Sequence, residues 1–240
     1  MIFFQPVIAV VAIHVLAAIL PAVFLLRFIY RMDRIEKEPL PLLLNLLLQG
    51  VFAAFVAIVL ETIGSLVLDI IISQDTAIYY IILAFLVVAG AEEGAKLFFL
   101  KLKTWRNQNF DFKFDGIVYA VFVSLGFAAF ENIKYVFTYG LSVAWPRAVL
   151  AVPGHMGFAV FMGVFYGQAK LCENRGNMLG KKVNLVLAYV MPVLLHGFYD
   201  ACAMIGSAIA SLLFVLFVIV MYVIVYRLIK NNAAWDQSLY

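Results

Sequence analysis

The sequence predicts an all-α protein, a polytopic transmembrane helical bundle of about seven spans, with the N-terminus outside and the C-terminus cytoplasmic. Three observations predict it. Of 240 residues, 66% are hydrophobic and 13% charged, whereas a soluble domain is nearer half apolar and a quarter charged. The apolar residues form continuous runs, not the alternation over about ten residues that marks a membrane β-barrel. The lysines and arginines gather in every second loop between those runs.

A spanning helix needs about 20 mostly apolar residues. Seven segments satisfy this, at 5–29, 41–71, 78–100, 116–138, 147–170, 184–205 and 207–229. The first has no basic leader, since its first cation is Arg27, and no small-x-small cleavage site precedes a soluble domain, so it reads as a retained span. The second is long enough to tilt or bend. The fifth contains Pro153, which bends a helix and frees backbone groups. The sixth and seventh are separated by a tight turn near Gly206. Small residues four apart, Gly90 with Gly94 and Gly163 with Gly167, suit close helix approach.

Cations set the orientation. Arg31, Arg34 and Lys37 follow the first span, and Lys101, Lys103, Arg106 and Lys113 follow the third. Lys170, Arg175, Lys181 and Lys182 follow the fifth, and Arg227 and Lys230 the seventh. The loops after the second and sixth spans carry no cation, and the loop after the fourth is bordered only by Lys134 and Arg147. A net charge of +3 is too small to argue for nucleic acid. Cys172 and Cys202 offer neither metal spacing nor a disulfide framework and read as inert thiols. No soluble domain, low-complexity tract or internal repeat stands out, so residues 1–240 read as a single integral-membrane domain.

Six ionisable residues fall inside these apolar runs: Glu92, Glu93, Glu131, His155, His196 and Asp200. A charge near the bilayer centre costs about 2.5–3.5 kcal/mol. Six facing lipid would cost well over about 10 kcal/mol, so they must face each other, water or a partner. In the third span, Glu92 and Glu93 lie four and three residues before Lys96, within helical reach of it. Adjacent carboxylates diverge by about 100° around a helix, so one can pair with Lys96 while the other points into a cavity. Glu131 and Tyr135 share a face of the fourth span, and His196 and Asp200 share a face of the sixth. Helical rise puts these groups at one level toward the outer side, provided that the third helix continues through Lys101–Arg106. His14 reads as a bundle hydrogen-bonding residue. Glu61 reads as a neighbour of a polar cavity.

No serine or cysteine elbow is present, which argues against a covalent nucleophile. Two hydrolytic schemes remain open. In one, a desolvated glutamate activates water, and histidine and aspartate steady the oxyanion. In the other, zinc bound by His155, His196 and a carboxylate activates it. No H-E-x-x-H occurs to favour the metal. Asp200 can hold the His196 tautomer in either scheme.

E-E-G-A-K at 92–96, D-G-I-V-Y-A followed by G-F-A-A-F-E-N-I-K-Y across 115–135, P-G-H at 153–155 and H-G-F-Y-D at 196–200 resemble the PrsW intramembrane proteases, in order and over nearly the whole chain. The polar strip from Asp33 to Pro39 resembles that family's acidic loop. The resemblance implies a multi-pass cell-membrane peptidase, related to the CAAX prenyl endopeptidase and bacteriocin-immunity superfamily. It implies a single-pass membrane protein as substrate, of the anti-sigma-factor kind, cut at a first site. By this resemblance Glu92 is the water-activating base and Glu93 the partner of Lys96. Glu131 stands where the prenyl-protease branch has histidine, His155 and His196 match the family pattern, and Asp200 stands where that branch has asparagine. Lys96 and Tyr135 are the binding residues. The cofactor is none or zinc, and Glu131, His155 and His196 are the ligands in the zinc case. The competing classes are an ion- or proton-coupled transporter, against which no paired broken repeats are visible, and a scaffold or immunity protein.

Overall fold

The computed structural model describes residues 4–74 and 76–240. They form seven helical stretches. α1 is Phe4–Met32 and α2 is Leu40–Ile71. α3 covers 77–104, with a π-helical section at Leu83–Ala89. α4 is Asp115–Tyr139. α5 covers Leu141–Asn174 and contains a π-helical section at Arg147–Ala151. α6 is Met178–Ile205 and α7 is Ala208–Ala234. No strand occurs among the described residues. Six of the seven are long and apolar enough to cross a membrane, and α3 is the one that carries Glu92, Glu93 and Lys96. The chain is a multi-pass, all-helical membrane protein.

All seven predicted segments are helices, and the differences lie at their ends. α5 begins at Leu141 rather than 147, and α6 at Met178 rather than 184. Apolarity marks where a helix meets hydrocarbon, whereas backbone hydrogen bonding continues through polar residues such as Lys181 and Lys182. α3 likewise continues past the apolar run to Thr104. Local chemistry explains the starts. Thr76 accepts from the Tyr79 amide (3.2 Å), Asn177 from Gly180 (2.8 Å) and Ser207 from Ala210 (3.2 Å), each filling an orphan donor of a first turn. Gly206, at φ +61°, makes the tight α6–α7 turn in the left-handed region where a side chain is disfavoured.

Pro153 acts on the turn before it. Proline lacks an amide hydrogen, and its ring crowds the carbonyl four residues back, here Val149. The π section Arg147–Ala151 absorbs the conflict. The Tyr222 hydroxyl, from α7, lies 2.7 Å from the Val149 carbonyl and 3.1 Å from that of Leu150. That contact answers the need for every backbone group at membrane depth to find a protein partner.

α4 is the central helix, with 78% of its most apolar window buried against 11% for α1. α1 and α7 turn most of their apolar side chains outward, as lipid-facing helices do. α5 crosses α4 at Gly163, where a Cβ would stand 2.4 Å from the Ile117 Cα, so the predicted Gly163/Gly167 approach is a backbone-to-backbone contact. Gly90 and Gly94 differ, since they meet the Tyr189 side chain at ordinary distances.

The cation-bearing ends meet at one end of the bundle. The tail after α7 crosses the loop after α3, with Lys113 N donating to Gln237 O (2.9 Å) and Leu239 N to Asp111 O (2.7 Å). Asn174, at the end of α5, donates to Leu239 O (3.0 Å), and Lys170 to Trp105 O (3.0 Å). Asp33 and Glu38, from the loop after α1, are buried beside Asp115 at the start of α4. Asp33 Oδ2 and Glu38 Oε2 have no hydrogen-bond partner among the described residues.

Burial pushes Asp33 up to about 6, against the opposing pull of Lys37. Burial also pushes Glu38 up to about 7, with the Asp33 charge adding to it. Both groups hold a proton more tightly folded than unfolded, so the stability they contribute is full at acid pH and is lost as pH rises through these values. The unfolding midpoint of the purified protein is expected to fall by about 2–4 °C between about pH 5 and about pH 7.5. Glu38→Gln should flatten that slope, and an equally steep slope in the variant would refute the assignment.

Candidate active site

Four helices bring the predicted residues together. α3 supplies Glu92, Glu93 and Lys96, α4 supplies Glu131 and Tyr135, α5 supplies His155, and α6 supplies His196 and Asp200. The Lys96 ammonium is the hub. It lies 2.9 Å from Glu92 Oε2, 2.8 Å from Glu93 Oε1 and 3.2 Å from His155 Nδ1, and 4.0 Å from the centre of the Phe127 ring. An ammonium has three hydrogens and no lone pair, so all three donors are used. The expectation that one carboxylate pairs with Lys96 while the other faces a cavity is met only on its second half. Lys96 holds both, while Glu92 alone of the two lines the cavity.

These contacts assign protons. Lys96 can only donate, so His155 Nδ1 accepts and the ring proton sits on Nε2, which donates to Glu131 Oε2 (3.0 Å). His196 faces a carboxylate on each nitrogen, with Nδ1 2.9 Å from Glu93 Oε1 and Nε2 3.2 Å from Asp200 Oδ2. A doubly protonated imidazolium satisfies both. The predicted nearness of Glu92 to His196 is met, at 4.0 Å. Phe158 stacks on the His196 ring at 4.7 Å and 17° and fixes its plane.

The site opens into a cavity of about 410 Å³ lined by α2, α3, α4, α5 and α6, with Phe214 of α7. Glu92, Glu131, Tyr135, His155, His196 and Asp200 all line it. Glu61, which sequence could only place near a polar cavity, is on its wall. His14 is elsewhere, bonded to its own helix at Val10 O (2.7 Å).

Sequence alone does not single out Arg147 as part of the site. It stacks over the Tyr135 ring (3.9 Å) and donates through Nε to Asn132 Oδ1 (2.7 Å) and through Nη2 to Glu131 Oε2 (2.8 Å). Asn132 is anchored in turn to Ala18 O (2.7 Å). The available signal is topological. Arg147 is a cation at the end expected to lack them, and such a residue needs a local partner.

Over residues 38–228 the chain matches the family described as PrsW family intramembrane metalloprotease. It belongs to the PrsW family. Among relatives named Protease PrsW, that of Oceanobacillus iheyensis is 35% identical over 217 residues, covering 90% of this chain and 94% of the relative. That of Clostridioides difficile is 33% identical over 86% of each chain, and that of Bacillus subtilis 33% identical over 77% of this chain and 79% of its own. No solved structure matches. This PrsW-family chain is therefore a membrane-embedded peptidase, and the fold and the resemblance read from the sequence agree with that.

The family description names a metal, and the site can be tested for a place to hold one. Among the described residues, one group of acidic, histidine or cysteine side chains converges, namely Glu92, Glu93 and His155, with one donor atom of each within 4.8 Å of the others. The zinc set expected from sequence, Glu131, His155 and His196, shares only His155 with this group, and His196 turns its nitrogens toward Glu93 and Asp200. The converging set has the right donor chemistry, but zinc needs its ligands at about 2.0–2.2 Å. The three donors are instead arrayed at 2.8–3.2 Å around the Lys96 ammonium. The residues as arranged do not fit a metal ion.

Removing Arg147 takes away the guanidinium that answers the Glu131 charge and leaves it the His155 hydrogen bond alone. Arg147→Met is expected to lower the unfolding midpoint, and adding Glu131→Gln should restore part of the loss. The cycle should give a coupling of about 0.5–3 kcal/mol, and additive effects of the two changes would show that the pair does not interact.

Proposed function

We propose that this peptidase hydrolyses a peptide bond of a single-pass membrane protein of the anti-sigma-factor kind, with water activated by Glu92. The observation that carries the reading is that Glu92 is the one member of the Lys96-held carboxylate pair that lines the cavity. Its Oε2 is held by Lys96, which leaves Oε1 as the atom to accept a proton from water. The water oxygen attacks the scissile carbonyl carbon, Glu92 takes the proton, and the carbonyl electrons move to oxygen. When the C–N bond breaks, Glu92 returns the proton to the leaving amine.

The developing oxyanion needs fixed positive charge. His196 is tied on both nitrogens, so it acts as a cationic wall held by Glu93 and Asp200. Arg147 lines the same cavity and leaves its Nη1 hydrogens outside its bonds to Asn132 and Glu131, which suits it to donate to the oxyanion. His155 positions the centre by joining Lys96 to Glu131.

The cation-rich end lies in the cytoplasm on this reading. Measured along the helices from that end, Glu92, Glu131, His155 and His196 lie about 18–29 Å in, and because those ends reach past the hydrocarbon this puts them at or beyond the midplane. Cleavage would then fall in the extracytoplasmic half of the substrate. In liposomes holding enzyme and a single-pass substrate, Glu92→Gln is expected to lower the cleavage rate by about 10²–10⁴-fold, with His155→Ala also strongly impaired. Full cleavage by Glu92→Gln would overturn the reading.

A further inference from the structure

We infer that Lys96 is the resident cation of the centre, its ammonium filling the place that Glu92, Glu93 and His155 would otherwise offer to a divalent metal. The three side chains that converge as metal donors are the three hydrogen-bond partners of Lys96. Each ammonium hydrogen has one of them, and the Phe127 ring face covers a further side. Lys96 is 1% exposed. A dication entering the triangle would sit within a few ångströms of that ammonium and be repelled by it. Expelling the ammonium would break three charge-assisted hydrogen bonds and leave a buried charge without partners.

The spacing explains how the chain supplies its own cation. Lys96 follows Glu93 by three residues and Glu92 by four, so one helix carries both anions and their counter-charge. Only His155 comes from another helix. A metal ligand set must be deprotonated and free before an ion arrives, whereas here the positive charge is covalently attached.

The inference concerns the centre where the proposed hydrolysis would occur, but its test uses no substrate. Untagged protein in detergent is incubated with zinc chloride, desalted and assayed for bound zinc. Wild type is expected to retain well under about 0.1 zinc per chain, with no shift of its unfolding midpoint by zinc or chelator. Lys96→Met keeps the unbranched apolar stem and removes the ammonium. It is expected to retain about one zinc per chain, which a further Glu93→Gln change should abolish. Stoichiometric zinc in wild type, lost in Glu92→Gln or His155→Ala, would overturn the inference, as would a folded Lys96→Met that binds none. If Lys96→Met does not fold, the wild-type zinc content and midpoint decide alone. Because no cleavage is read, failure here is distinguishable from failure of the proposed reaction.

Discussion

A carboxylate cannot sit in hydrocarbon without an answering charge, and this molecule is arranged around four of them. Glu92 and Glu93 share one ammonium, Glu131 has a guanidinium, and Asp200 has an imidazole that also serves Glu93. No single pair could be removed cleanly, since each partner would be left buried with unanswered charge. The network ties α3 to α5 through Lys96 and His155, α3 to α6 through Glu93 and His196, and α4 to α5 through Glu131 and both Arg147 and His155. Packing in a bilayer lacks a hydrophobic force between helices, so these polar joints decide which helices become neighbours around the cavity.

Much of this is legible in the sequence because burial cost is a property of residue type. Continuous apolar runs locate the helices, and charged residues inside them locate the site. Helical spacing within one segment is readable too, as with Lys96 after Glu92 and Glu93, or Asp200 after His196. Contacts between segments are harder. Nothing local to Lys96 says that His155, 59 residues away, takes its third hydrogen. Nor does the sequence show that His196 faces Glu93 on a different helix as well as Asp200 on its own. Arg147 is inconspicuous because it borders a loop, where cations are ordinary.

The π sections in α3 and α5 are equally hidden, since they reflect where a helix must shift its register to bring a residue into line. Both precede the site residues on their helices, Leu83–Ala89 before Glu92 and Arg147–Ala151 before His155. Each extra residue in a turn rotates the remainder of the helix about its axis. The packing of Gly197 on α6 against Phe85, inside the first π section, shows that the displaced backbone is itself a contact surface, with a Cβ there standing 2.9 Å from the Phe85 Cα.

The Tyr222 hydroxyl carries a consequence for biosynthesis. The Val149 and Leu150 carbonyls that it reaches are on α5, only a few residues before His155, yet Tyr222 is on α7. α7 leaves the ribosome after α5 and α6. Until it docks, the irregular turn beside His155 lacks that hydroxyl and is poorly suited to hydrocarbon. The turn before His155 thus reaches its finished form only after a helix made later has joined it, which ties the readiness of the candidate site to the order in which the helices enter the membrane.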